Sequence, residues 1–95
     1  MPVMPLTKLL TQKNKAMEEI VKQKVNEIIC NILQVRENEI KPDSDLRQSL
    51  TANNFDVEEL LISLAGEFGL VDYSIEPEAI RKVQNVYDFV ENHLP

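Results

Sequence analysis

The stretch TANNFDVEELLISLAGEFGL, Thr51 to Leu70, decides the fold. Val57, Leu60, Leu61, Leu64 and Phe68 recur at helical spacing and make one apolar stripe. Asp56 followed three residues later by Glu59 matches a capping box, and carboxylates in a first turn suit the helix dipole. Asn54 is an equally good cap by side-chain type. Gly66 and Gly69 signal the stop. Asp56, Glu59 and Ser63 share a face away from the stripe, with Glu58 and Glu67 alongside. A solvated charged face is the ordinary reading of such a cluster. The helix is led into by two unreactive side-chain amides, Asn53 and Asn54.

Working outward, the spacing of Val21, Val25, Ile28, Ile29 and Ile32 predicts an earlier helix from about Ala16 to Val35. Between the two helices, Pro42 and its polar surroundings in RENEIKPDSDLRQSL mark a long loop. Ile40, Leu46 and Leu50 interrupt that polarity at wide intervals and read as anchors onto a core. Downstream, VDYSIEPEAIRKV has room only for a short helix begun near Pro77. NVYDFVENHL reads as a last helix capped by Asn85, with Val86, Phe89, Val90 and Leu94 inward. The expectation is an all-α, four-helix bundle with a long first loop and a short third helix. Residues 1–15 form a basic extension and residues 16–95 one helical domain. No internal repeat, low-complexity segment or strand pair is present in the sequence.

Composition narrows the function. Ninety-five residues suffice for one domain that buries roughly 60–65% of the unfolded chain's surface without disulfides or metal. The single Cys30 excludes an intramolecular disulfide, and with only one histidine, His93, no His-paired metal motif exists. Cys30 reads as a packing residue on the first helix and suits a reducing compartment. The net charge is −6 and unevenly placed. Residues 1–24 hold five basic and two acidic groups, and the remainder holds five basic and fourteen acidic ones. That acidic body argues against nucleic acid and favours a basic protein partner. No apolar run approaches the roughly 20 residues that span a bilayer, and the N-terminus lacks the apolar core of a secretion signal. PLTKLLTQKNKAM reads as a solvated helical extension rather than a transit segment, which points to the cytoplasm. A monomer is the default for a bundle with no evident exposed apolar stripe.

In their order, these features resemble the acyl carrier protein family. ILQVRENEIKPDSDL is similar to the family's end of helix one and following loop, through Val35, Ile40, Pro42, Asp43 and Leu46. FDVEELLISLAGEF resembles the family's second helix, usually an Asp-Ser-Leu-Asp followed by Val-Glu-Leu and ending in Glu-Phe. NVYDFVENHL is close to the family's final Thr-Val-x-Asp-Leu-Val. The match spans roughly residues 17 to 94. The resemblance implies a carrier whose serine, at the start of the second helix, holds 4′-phosphopantetheine as a phosphoester. It also implies docking of that helix on basic patches of partner enzymes, here through Asp56, Glu58, Glu59 and Glu67.

Aligning Asp56, Glu59, Leu60 and Phe68 puts Asn54 at the serine's position, with Asn53 and Phe55 replacing its neighbours. An amide keeps the capping ability and lacks the nucleophilic oxygen. The reading is therefore an acyl-carrier-like domain that docks through its acidic second helix and carries no prosthetic arm. The first alternative is a working carrier, of fatty-acid or polyketide type, modified at an atypical hydroxyl such as Ser49, Thr51 or Ser63. The second is an unrelated helical interaction module, which an unanchored first loop would favour. A small enzyme finds no support: there is no Ser–His–Asp set, metal spacing or glycine-rich phosphate loop. Phe55, Phe68 and Phe89 are expected to fill interior space that an active carrier leaves for its acyl chain.

Overall fold

The computed structural model describes residues 15–95, in which three α-helices and two 3-10 turns account for the regular structure. The basic extension falls outside the described residues, apart from Lys15. Helix α1 spans Lys15–Leu33, α2 spans Asn54–Phe68 and α3 spans Val83–Asn92. The 3-10 turns lie at Glu37–Glu39 and Pro77–Ala79. Among the described residues there is no strand, only an isolated antiparallel bridge between Asp45 and Lys82. No described helix is long and apolar enough to cross a membrane.

The apolar stripes meet in one core. Val21, Val25 and Ile29 of α1 are buried, with Ile28 and Ile32 packed at its margin. Val57, Leu60, Leu61 and Leu64 of α2 and Val83, Val86, Phe89 and Val90 of α3 complete it. Burying a side chain of this size contributes about 1.5–3 kcal/mol, so each stripe commits its helix to one orientation. Between α1 and α3, the Tyr87 hydroxyl donates to Asn26 Oδ1 at 2.7 Å, and Lys22 Nζ stands 5.6 Å from the Tyr87 ring centroid.

The long loop is part of the fold rather than a linker. Ile40, Leu46 and Leu50 are buried, as their spacing indicated. The main chain is laced to the start of α3. Leu46 N–H donates to Arg81 O at 2.8 Å, Val83 N–H to Ser44 O at 3.0 Å, and Gln84 N–H to Pro42 O at 2.9 Å. Asp45 Oδ1 accepts from the N–H groups of Arg47 and Gln48, which holds its carboxyl below the ordinary carboxylate range. Arg47 Nη2 donates to Pro77 O at 2.7 Å and ties the loop to the second 3-10 turn. Such anchoring counts against an unrelated helical module.

Three expectations are corrected. The short third helix near Pro77 is a single 3-10 turn. It cannot propagate, because Ile80 and Lys82 are extended and the main chain of residues 81–84 is engaged with the first loop. The described residues thus hold three α-helices, not four. Asn85 does not cap α3 from outside: the N-cap is Lys82, and Asn85 reaches back from the first turn to accept from the N–H of Arg81 and Lys82. Only one of the two glycines ends α2. Gly69 is left-handed at φ 62°, with Leu70 N–H bonded to Ala65 O at 3.0 Å, whereas Gly66 lies inside the helix.

Candidate functional site

The start of α2 is closed by a reciprocal pair three residues earlier than the capping box its sequence suggests. Asn53 is the N-cap: its Oδ1 accepts from Asp56 N–H at 2.8 Å, and Asp56 Oδ2 accepts from Asn53 N–H at 3.2 Å. The capping box is Asn53–Asp56, and the expected Asp56–Glu59 pair is not formed. Asn54 is the first residue inside the helix, and its side chain is exposed. It borders a shallow cleft of about 260 Å³ shared with Asp45, Arg47, Gln48, Glu78 and Arg81.

The segment leading into the helix is strained. Thr51 sits at φ 56°, a left-handed conformation that a β-branched residue rarely adopts, and its Oγ1 donates to Leu50 O at 2.6 Å. Ala52, next to it, is buried and bonds Leu46 O through its N–H. The turn is thus held from both sides while Asn53 swings out to cap.

The four carboxylates singled out in the sequence do not act as one group. Glu58 and Glu59 line a groove of about 270 Å³ on the outer face of α2, together with Phe55, Ile62 and Ser63. Asp56 is engaged in the cap. Glu67 lies on the α1 flank, 3.7 Å from Lys24 Nζ. Both partners of that pair are about half exposed, so it contributes little to stability.

Phe55 corrects an expectation and supplies what the sequence reading missed. It does not fill the interior but stands 76% exposed, and Ile62 is 55% exposed. Seven residues apart, the two rise on the same face, opposite the Val57–Leu64 stripe. The signal was the i, i+7 spacing of two large apolar residues outside the main stripe. Phe89 does pack inward, edge-on to Tyr73 at 6.0 Å between centroids, and Phe68 packs at the core margin. Between Leu61, Ile80 and Phe89 lies a depression of about 290 Å³, whose other walls are Asp72, Ser74, Glu76, Ala79 and His93. With four polar walls it is not a dry pocket.

The alternative hydroxyls sit elsewhere. Ser49 and Thr51 precede the helix in the loop, and Ser63 projects from the middle of the outer face. Cys30 is partly buried near Glu27 and Glu37, and burial together with these carboxylates raises its pKa. That fits a packing residue rather than a nucleophile. Among the described residues no cluster of three or more His, Cys, Asp or Glu side chains is placed to hold a metal ion.

The site thus lies at the start of a loop-anchored, acidic second helix in an all-α domain. No family model matches the chain. It is, however, 37% identical over 76 residues to the acyl carrier protein of Rubrobacter xylanophilus, covering 80% of this chain and 93% of that protein. It is 33% identical over 72 residues to the acyl carrier protein of Nitratidesulfovibrio vulgaris, covering 76% and 95% respectively. The chain belongs to the acyl carrier protein family. Proteins so named are carriers, and the chain is not an enzyme.

Proposed function

We propose that this chain is an acyl-carrier-like docking protein without a phosphopantetheine arm. The observation that carries the reading is Asn54 at the first helical position of α2, where the family resemblance places the attachment serine. Around the cleft Arg47 and Arg81 are matched by Asp45 and Glu78, so of the surroundings only the helix N-terminus favours an anionic phosphate. The chemistry does not suit it, because a carboxamide has no hydroxyl to form the ester. The group therefore does not fit the residues present. What remains is recognition: Glu58 and Glu59 beside Phe55 and Ile62 match a basic patch with an apolar centre on a partner enzyme. In this reading the protein acts as a monomer in the cytoplasm.

The test is intact-mass measurement of the full chain after incubation with coenzyme A and a broad-specificity phosphopantetheinyl transferase. No mass gain is expected. A gain of one phosphopantetheine overturns the reading, and mapping the modified peptide then names the hydroxyl used.

A further inference from the structure

The depression between Leu61, Ile80 and Phe89 lies where α2 and α3 finish. Leu46 O accepts from Ala52 N–H and Leu46 N–H donates to Arg81 O, which sets the starts of α2 and α3 beside the first loop. At the opposite end Val71 N–H donates to His93 O at 2.9 Å and joins their finishes. Lys24, midway along α1, meets Glu67 in the last turn of α2, and past Leu33 the chain runs into the first loop. Residues 1–14 therefore enter the domain at the end that holds the depression.

That end is apolar within and acidic at its rim. Val71 and Tyr73 are exposed, and Tyr73 continues onto Phe89 through an edge-on ring contact. Asp72 and Glu76 stand on the wall of the depression. From Gln48 to Ile80 the chain carries seven acidic residues and no lysine or arginine. Residues 1–14 have the opposite character: Lys8 and Lys13 with no acidic residue, and Leu6, Leu9 and Leu10 at i, i+3 and i+4.

We infer that residues 1–14 seat on this end of their own molecule, with leucine side chains over Leu61, Ile80 and Phe89 and lysines against Asp72 and Glu76. Extended, the segment spans at most about 50 Å, more than a target at the same end demands. Because it is tethered, its effective concentration is on the order of millimolar, which favours its own domain over a second copy. Burial of the leucines supplies most of the gain, and the exposed ion pairs supply orientation. Seated, the segment closes the depression to any other apolar occupant, so the basic extension is a built-in stopper rather than a spacer. The inference stands apart from the docking reading, which concerns the opposite face of α2.

The experiment measures nuclear Overhauser contacts in the full chain with labelled leucine and isoleucine methyl groups, at low salt. Contacts from Leu6, Leu9 or Leu10 to Ile80 and to the Tyr73 and Phe89 rings are expected, unchanged on dilution. Leu9→Ser combined with Leu10→Ser is expected to abolish them and to move the amides of residues 71–76, leaving those of residues 53–60 in place. Lys8→Glu combined with Lys13→Glu is expected to move the same amides part of the way, as is an ionic strength of about 1 M, where charges are screened beyond about 3 Å. Absence of these contacts in the parent, or contacts to Phe55 and Ile62 in their place, overturns the inference. Parent-like amides in the leucine variant do the same. So do contacts found only between labelled and unlabelled chains in a mixed sample, which would mean exchange between copies.

Discussion

Asn53 and Asp56 exchange side-chain hydrogen bonds across the first turn of α2, at 2.8 and 3.2 Å. Two of the helix's free N–H groups are satisfied in this way, and the chain is fixed where it turns from loop to helix. Asn54 is left outside the exchange, exposed at the first helical position.

Asn53→Ala removes the acceptor for Asp56 N–H. The expected loss is about 1 kcal/mol of stability, or roughly 4–8 °C in Tm for a domain of this size. Urea titration and thermal unfolding by circular dichroism check it. An unchanged midpoint would show that water replaces the cap without cost.

Thr51→Gly acts in the opposite direction. Relief of left-handed strain at φ 56° outweighs the added freedom of the unfolded chain, giving a gain of up to about 1 kcal/mol. The same titration reads it. A loss of stability would mean that the Thr51–Leu50 hydrogen bond matters more than the strain.

Stability should fall at both pH extremes for identifiable reasons. Two backbone N–H groups depress the Asp45 pKa, so its contribution is present above the ordinary value of about 3.9 and is lost as pH falls through the folded value. Burial raises the Tyr87 pKa, against the opposing effect of its Asn26 bond. Its contribution is complete below about pH 10 and is lost as pH rises through the folded value. Asp45→Asn should flatten the acid limb, and Tyr87→Phe the alkaline one, in unfolding free energy measured against pH. Parent-like limbs in these variants would assign the losses to other groups.

Docking through Glu58 and Glu59 should be salt-sensitive, because exposed charges are screened beyond about 8 Å at 0.15 M ionic strength. Affinity for an identified partner is expected to drop steeply between low and physiological salt. Glu59→Lys should lower the association rate more than it raises dissociation. Salt-independent binding measured by surface plasmon resonance would falsify the electrostatic part of the docking reading.

Helix positions and inward stripes were legible because burial selects apolar residues at a 3.6-residue period, and Val57, Leu60, Leu61 and Leu64 keep it strictly. The loop anchors Ile40, Leu46 and Leu50 were legible for a related reason: large apolar residues in a polar run have nowhere else to go. The cap at Asn53 was not, since Asn53, Asn54 and Asp56 are chemically equivalent caps and only the backbone path chooses among them. Phe55 was misplaced because residue size says nothing about side; its i, i+7 relation to Ile62, away from the Val57–Leu64 stripe, carries that information.

The order of residues was enough to indicate the three α-helices, along with a short fourth that is only a 3-10 turn, their apolar faces, an acidic α2, and the amide at Asn54, because each follows from local periodicity and side-chain chemistry. Packing decided the rest. The 3-10 turn at Pro77–Ala79 stops short of a helix because Arg81, Val83 and Gln84, just after it, hydrogen-bond to Leu46, Ser44 and Pro42. Packing of α2 on α1 also brought Glu67 to 3.7 Å from Lys24. Contacts between residues distant in the chain settle such choices, and no short window of sequence contains them.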